Sequence, residues 1–91
     1  MADKIRKKIR FHGRVQGVGF RYHAMWAARP LGLTGWVKNE WDGTVSMEVQ
    51  GDRESINRML EHLNSDAYIR IEWMDTKEIP LDEEESGFRV R

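Results

Sequence analysis

Gly35-Trp36-Val37-Lys38-Asn39-Glu40-Trp41-Asp42-Gly43-Thr44-Val45-Ser46-Met47-Glu48-Val49-Gln50 lies near the middle of the chain and decides how the rest is arranged. Residues 35 to 39 and 44 to 50 are two strand-like runs. The Asp42-Gly43 pair between them is a strong hairpin signal, because both residues accept the backbone angles of a tight reversal. The two runs are expected to pair antiparallel.

Outward from this hairpin the two flanks read alike. Upstream, Tyr22 to Ala28 reads as helix one, with Tyr22, Met25, Trp26 and Arg29 at helical spacing on one stripe. Pro30 disfavours a helical Arg29, so a kink or early end is expected there, with Gly32 as terminator. Further upstream Ile5, Ile9, Phe11 and Val15 alternate with Lys4, Arg6, Lys8, Arg10, His12 and Arg14, a period of two that marks a strand with one covered face; Lys7 is the misfit. Downstream, Asp52 is placed as an N-cap, and Ile56, Met59, Leu60 and Leu63 give helix two from 53 to 64. Tyr68 to Asp75 alternates again, and Phe88-Arg89-Val90 reads as a short edge strand.

The order β-α-β-β-α-β plus a terminal strand implies an α+β domain of the ferredoxin-like, split-βαβ class. It is an expected sandwich of an antiparallel sheet, four to five strands wide, with two helices on one face. Ninety-one residues allow one domain, 1-91, able to bury roughly 60% of its unfolded surface. A single-domain protein rather than a multidomain enzyme is expected. With no cysteine, disulfides, thiolate nucleophiles and cysteine-ligated zinc are excluded too.

Fifteen basic and fifteen acidic residues cancel, but not uniformly. Residues 1 to 39 carry nine basic groups against one acidic, a net of +8; residues 40 to 91 carry six against fourteen, a net of −8. The positive end of the field is expected near residues 15 to 21, where it would draw in a small anion. Asp82-Glu83-Glu84-Glu85 reads as a solvated loop, and Lys4, Arg6, Lys8 and Arg10 as the uncovered face of strand one, answered by acids such as Glu48 in exposed pairs of little worth. The longest apolar stretch, Ala24 to Ala28, is too short to span a membrane.

Chemistry points to Gly13-Arg14-Val15-Gln16-Gly17-Val18-Gly19-Phe20-Arg21. A glycine-bearing turn between strand and helix can gather main-chain N–H groups into one concavity, and the helix N-terminus adds to it as a seat for an anion. Arg21 falls in the first turn of helix one, where the helix dipole disfavours a cation, so it is out of place unless an anion lies beside it. Its planar fork matches phosphate oxygens. The loop is no Walker motif, it lacks the third glycine of a dinucleotide fingerprint, and Val15 stands where a thiol phosphatase would carry its nucleophile.

At this loop, and again in Leu31 to Asn39 and Asp42 to Val45, the chain resembles the acylphosphatase family, whose hallmark is a G-x-V-Q-G-V-x-F-R loop with a G-W-V-x-N hairpin. The resemblance is most specific from 13 to 51. It implies hydrolysis of the carboxyl-phosphate anhydride of acyl phosphates, without metal or other cofactor. Arg21 would be the phosphate-binding arginine and Asn39 the water-orienting asparagine. The backbone of Val15, Gln16, Gly17, Val18, Gly19 and Phe20 would form the phosphate cradle. Ala24 stands where family members commonly carry a hydroxyl residue, and Pro30 interrupts helix one.

The chemistry needs no more than this. A carboxylate leaves with a conjugate-acid pKa of about 4, so no general acid is required, and charge crowding at phosphorus is the main barrier. The expected partner is a small-molecule acyl phosphate met by a cytoplasmic monomer, with no nucleic acid or membrane involved. The alternative is a non-catalytic phosphate-binding regulatory module of the same fold. An RNA reader is disfavoured because Thr44 to Gln50 carries no aromatic for base stacking. His12, His23 and His62 share no metal-ligand spacing and are expected to be exposed, while Trp26, Met25 and Met59 are expected to fill the core. Trp41 is a candidate for lining the acyl-group entrance or covering the sheet edge.

Overall fold

A computed structural model describes residues 3-91. Its elements run β1 (Lys4–Arg14), α1 (Phe20–Ala28), a 3-10 turn (Arg29–Leu31), β2 (Thr34–Asn39), β3 (Val45–Asp52), α2 (Arg53–Asn64), β4 (Arg70–Ile79) and β5 (Phe88–Val90). The five strands form one sheet in the order β4-β1-β3-β2-β5. Four of them pair antiparallel as expected, but β5 joins the edge of β2 in parallel, with Trp36 opposite Arg89, so the sheet is mixed. The loop from β4 at one edge to β5 at the other passes over the open face of the sheet, where Arg6 and Gln50 bond to it.

Alternation in the strands sends Ile5, Ile9 and Phe11 of β1, Val37 of β2 and Val45, Met47 and Val49 of β3 to one face, where they meet both helices in a single core. From α2 come Ile56, Met59 and Leu63, at the spacing the sequence shows. Each side chain fully removed from water contributes about 1.5–3 kcal/mol.

Helix α1 departs from the reading of its stripe. Phe20, Ala24 and Ala28 are buried at i, i+4 and i+8, while Tyr22 and Trp26 are 50% and 60% exposed. Trp26 is therefore not core filler. Two small residues on the inner stripe let α1 lie close to α2, which a stripe of Trp and Met would prevent. Pro30 converts the helix end into the 3-10 turn, and Gly32 closes it.

Three further expectations are corrected. Asp52 does stand at the N-cap position of α2, but its side chain makes no capping bond; it also closes β3 opposite Lys4, and the amide of Arg53 donates to the main-chain oxygen of Asp3 at 2.9 Å. Arg6 is not on an uncovered face: it is 4% exposed, with salt bridges to Glu48 at 2.9 Å and Glu85 at 2.7 Å. The loop Pro80 to Gly87 covers it, so the acidic run is in part a strap rather than a solvated turn; Gln50 fastens the same loop by bonding both the amide and the oxygen of Asp82. Finally, His12 and His23 are partnered. His12 stacks on Trp73 at 4.3 Å and lies 2.7 Å from Asp75, and His23 lies 3.5 Å from Asp66, leaving only His62 exposed without such a contact.

Candidate active site

Between β1 and α1 the chain turns through residues 15 to 19. A β-bulge between His12 and Gly13 shifts the register against β4, and a Cβ at Gly13 would collide with the main-chain oxygen of Arg70. The bulge redirects the strand end into the loop. Gly17 (φ 73°) and Gly19 (φ 76°) then both take left-handed conformations, which residues with a Cβ adopt at a cost, and Gly19 becomes the N-cap of α1.

The consequence is a row of free donors. Among the described residues, the main-chain amides of Gln16, Gly17, Val18, Gly19 and Phe20 donate to no protein acceptor. Unpaired amides clustered at a helix N-terminus form an anion seat. No acidic residue occupies the first turn of α1, and Arg21 does.

Asn39 reaches the same place from another element. It is the last residue of β2, opposite Val45, and its half-buried side chain has no hydrogen-bond partner among the described residues. Val15, Gly17, Gly19, Phe20, Arg21, Tyr22 and Asn39 together line one cavity of about 130 Å³. Of the residues singled out in the sequence, Gln16 and Val18 are not part of that lining. Val18 packs against the core. The Gln16 side chain turns to the hairpin, donating to the main-chain oxygens of Glu40 at 2.7 Å and Thr44 at 2.8 Å.

Arg21 is held from the far end of the chain. Its Nη1 donates to the main-chain oxygen of Arg91 at 2.7 Å, leaving the other N–H groups of the fork for a ligand. Arg91 is itself fixed: its amide donates to the Val37 oxygen at 2.8 Å, and its guanidinium lies 4.6 Å from the centre of the Trp36 ring. The hairpin that carries Asn39 is stabilised at its turn by Asp42, whose Oδ1 accepts from the Thr44 hydroxyl at 2.6 Å and the Thr44 amide at 3.0 Å. These two bonds, the hydroxyl first, hold the Asp42 carboxyl below the usual carboxylate range.

Two participants are not evident from sequence. The link from Arg21 to Arg91 spans seventy residues and has no local signature. Tyr22 has one in hindsight: if Phe20, Ala24 and Ala28 face the core, its side chain must face outward beside Arg21. Trp41, the sequence's candidate for the acyl-group entrance, is 96% exposed and lines neither the cavity nor the sheet edge. No group of three or more metal-ligating side chains is gathered among the described residues, and no helix among them is long and apolar enough to cross a membrane.

Comparison with known proteins agrees with this geometry. The acylphosphatase family model matches residues 7–90. An acylphosphatase of Clostridium perfringens is 42% identical over 85 residues, covering 92% of this chain and 96% of that protein. One from Picrophilus torridus is 48% identical over 66 residues, 71% of this chain and 82% of its own length. The crystal structure of acylphosphatase from Bacillus subtilis superposes with a TM-score of 0.87 at 30% identity, covering 96% of this chain and 98% of the other. Agreement in sequence and in backbone over nearly the full length leaves one assignment: the chain belongs to the acylphosphatase family.

Proposed function

We propose that this chain hydrolyses acyl phosphates to a carboxylate and inorganic phosphate in the cavity between the 15–20 loop, Arg21 and Asn39. The observation that carries this reading is that Gly17, Gly19 and Phe20, whose main-chain amides are unpaired, meet the Arg21 guanidinium and the free Asn39 carboxamide, from two separate segments of the chain, around one space of about 130 Å³.

In this reading the phosphoryl group sits on the loop amides with its equatorial oxygens shared between them and the Arg21 fork. That arrangement answers the charge that crowds phosphorus as the transition state forms. The Asn39 carboxamide holds a water in line with the bond to the acyl oxygen. Oxygen of this water bonds to phosphorus, the bond from phosphorus to the acyl oxygen breaks, and the electron pair leaves on the carboxylate. The water proton passes to a phosphate oxygen, so no side-chain base is required. Arg21 pays for its unfavourable place at a helix N-terminus only when an anion is bound, which ties the charge of the site to its substrate. One chain suffices, since every residue of the site stands on elements that share one core, and that core spans the whole domain.

Release of inorganic phosphate from acetyl and benzoyl phosphate in the presence of EDTA tests the reading. Turnover by the wild type is expected, and its absence would show a phosphate-binding module without catalysis. Arg21→Ala should nearly abolish activity. Asn39→Ala should lower kcat by roughly 10²–10³ with little change in KM, because a water-orienting group acts in the transition state. A pure KM effect at Asn39 would contradict its role.

A further inference from the structure

Tyr22 lines the phosphate cavity with a ring that is half exposed to solvent. The cavity, at about 130 Å³, is well below the roughly 300–1,000 Å³ of sites that enclose a whole small molecule, so an acyl group has to lie outside it, against whatever forms the rim. Of the side chains around it, Phe20 and Val15 are 1% exposed and turned into the core, the glycines offer none, and Arg21 and Asn39 are polar. Tyr22 is the exception, an aromatic ring 50% exposed.

The ring does not stand alone. One helical turn further on, Trp26 is 60% exposed with its ring centre 6.1 Å from that of Tyr22, and His23 meets Trp26 edge-on at 5.6 Å. The outer face of α1 is thus an aromatic ledge that begins at the phosphate seat and runs away from it. Helix geometry fixes this direction, because residues i and i+4 share a face. Trp41, Tyr68 and Trp73 are exposed as well, but Tyr22 is the exposed aromatic that also lines the cavity, and the chemistry at the head of the ledge says what the pair would meet.

We infer that Tyr22, extended by Trp26, is the acyl-side specificity surface of the enzyme, on which flat aromatic acyl groups rest while their phosphoryl group occupies the loop. The inference depends on the phosphate position proposed above and adds the substrate class: aromatic and bulky apolar acyl phosphates over short-chain ones. Aromatic contact would favour benzoyl over acetyl because a phenyl ring offers a face to stack on Tyr22, whereas an acetyl methyl offers none.

The test is the ratio of kcat/KM for benzoyl phosphate to that for acetyl phosphate. Tyr22→Ala is expected to lower this ratio roughly three- to tenfold, the range for an aromatic pair. Trp26→Ala should lower it less, and Tyr22→Phe should preserve it, since the ring and not the hydroxyl supplies the surface. Far-UV circular dichroism of each variant checks that α1 is intact, and its half-exposed position makes Tyr22 tolerant of change. A Tyr22→Ala ratio equal to that of the wild type would overturn the inference, as would equal losses on both substrates. Either result would leave Arg21 and Asn39 in place. Full activity in Arg21→Ala would remove the phosphate position itself and the inference with it.

Discussion

Gln16 connects two parts of the site that the chain places far apart. Its amide gives two hydrogen bonds to the turn after Asn39, so the loop proposed to seat phosphate is tied to the hairpin that carries the residue proposed to hold water. Removing those bonds is expected to loosen the loop, and small displacements matter for in-line attack. Gln16→Ala is expected to lower kcat/KM for acetyl phosphate about tenfold while lowering stability by about 1–2 kcal/mol. Gln16→Glu keeps the shape but cannot donate, and should match Ala in activity; wild-type kinetics in both would show that the loop is held by other means. Arg21 and Asn39 are legible from sequence because each breaks a local rule or completes a motif. Gln16 and Tyr22 act through direction: the sequence shows that a polar or aromatic residue stands there but not where it points.

Among the elements, the β2–β3 hairpin is the most completely written in the sequence. Asp42 and Gly43 specify the turn, and the structure adds the bonds from Thr44 that make Asp42 more than a turn former. A carboxyl held below its ordinary value stabilises the folded state fully above the unfolded pKa of about 3.9, and this contribution is lost as pH falls through the lowered folded value. Asp66, which accepts from the amides of Tyr68 and Ile69, behaves the same way at the start of β4. Below pH 4 the thermal midpoint of the wild type is therefore expected to decline. Asp42→Asn, whose amide oxygen still accepts from Thr44, should reduce that decline while changing little at pH 7. A wild-type acid limb in the variant would place the titration elsewhere. The bounds of α2 were also readable, because its apolar spacing admits one answer. For α1 two stripes share helical spacing, and only the close approach to α2 selects the one with alanines. The parallel direction of β5 was beyond sequence for another reason: three residues carry no signal of which way an edge strand runs.

Across the whole molecule, the basic first half and acidic second half turn out to be interleaved rather than separate. Strand β1 lies between β3 and β4, so its charges face those of the later strands: Arg6 meets Glu48 and Glu85, Arg10 lies 3.8 Å from Asp42, and His12 meets Asp75. The Arg6 cluster is the one shielded from water, with Glu48 22% and Glu85 15% exposed. Glu85 holds the Arg6 guanidinium above its ordinary pKa, with Glu48 adding to the effect, so the arginine stays charged at every pH of interest. Arg6→Met should cost about 2–3 kcal/mol in urea denaturation, less than for a fully buried pair because the two carboxylates retain some access to water. A loss under 0.5 kcal/mol would mean that the strap is held by Gln50 alone.

That strap leads directly into β5, and β5 ends beside the oxygen that holds Arg21. The anchor of Arg21 is thus attached to the shortest strand, at an edge, behind the longest loop. Edges fray before cores open, so two thresholds are expected: one at which this border detaches, and a higher one at which the sheet and helices separate. Between them, a molecule would keep the sheet and helices of its core while Arg21 lacks its anchor, and turnover would count only the molecules whose border is closed.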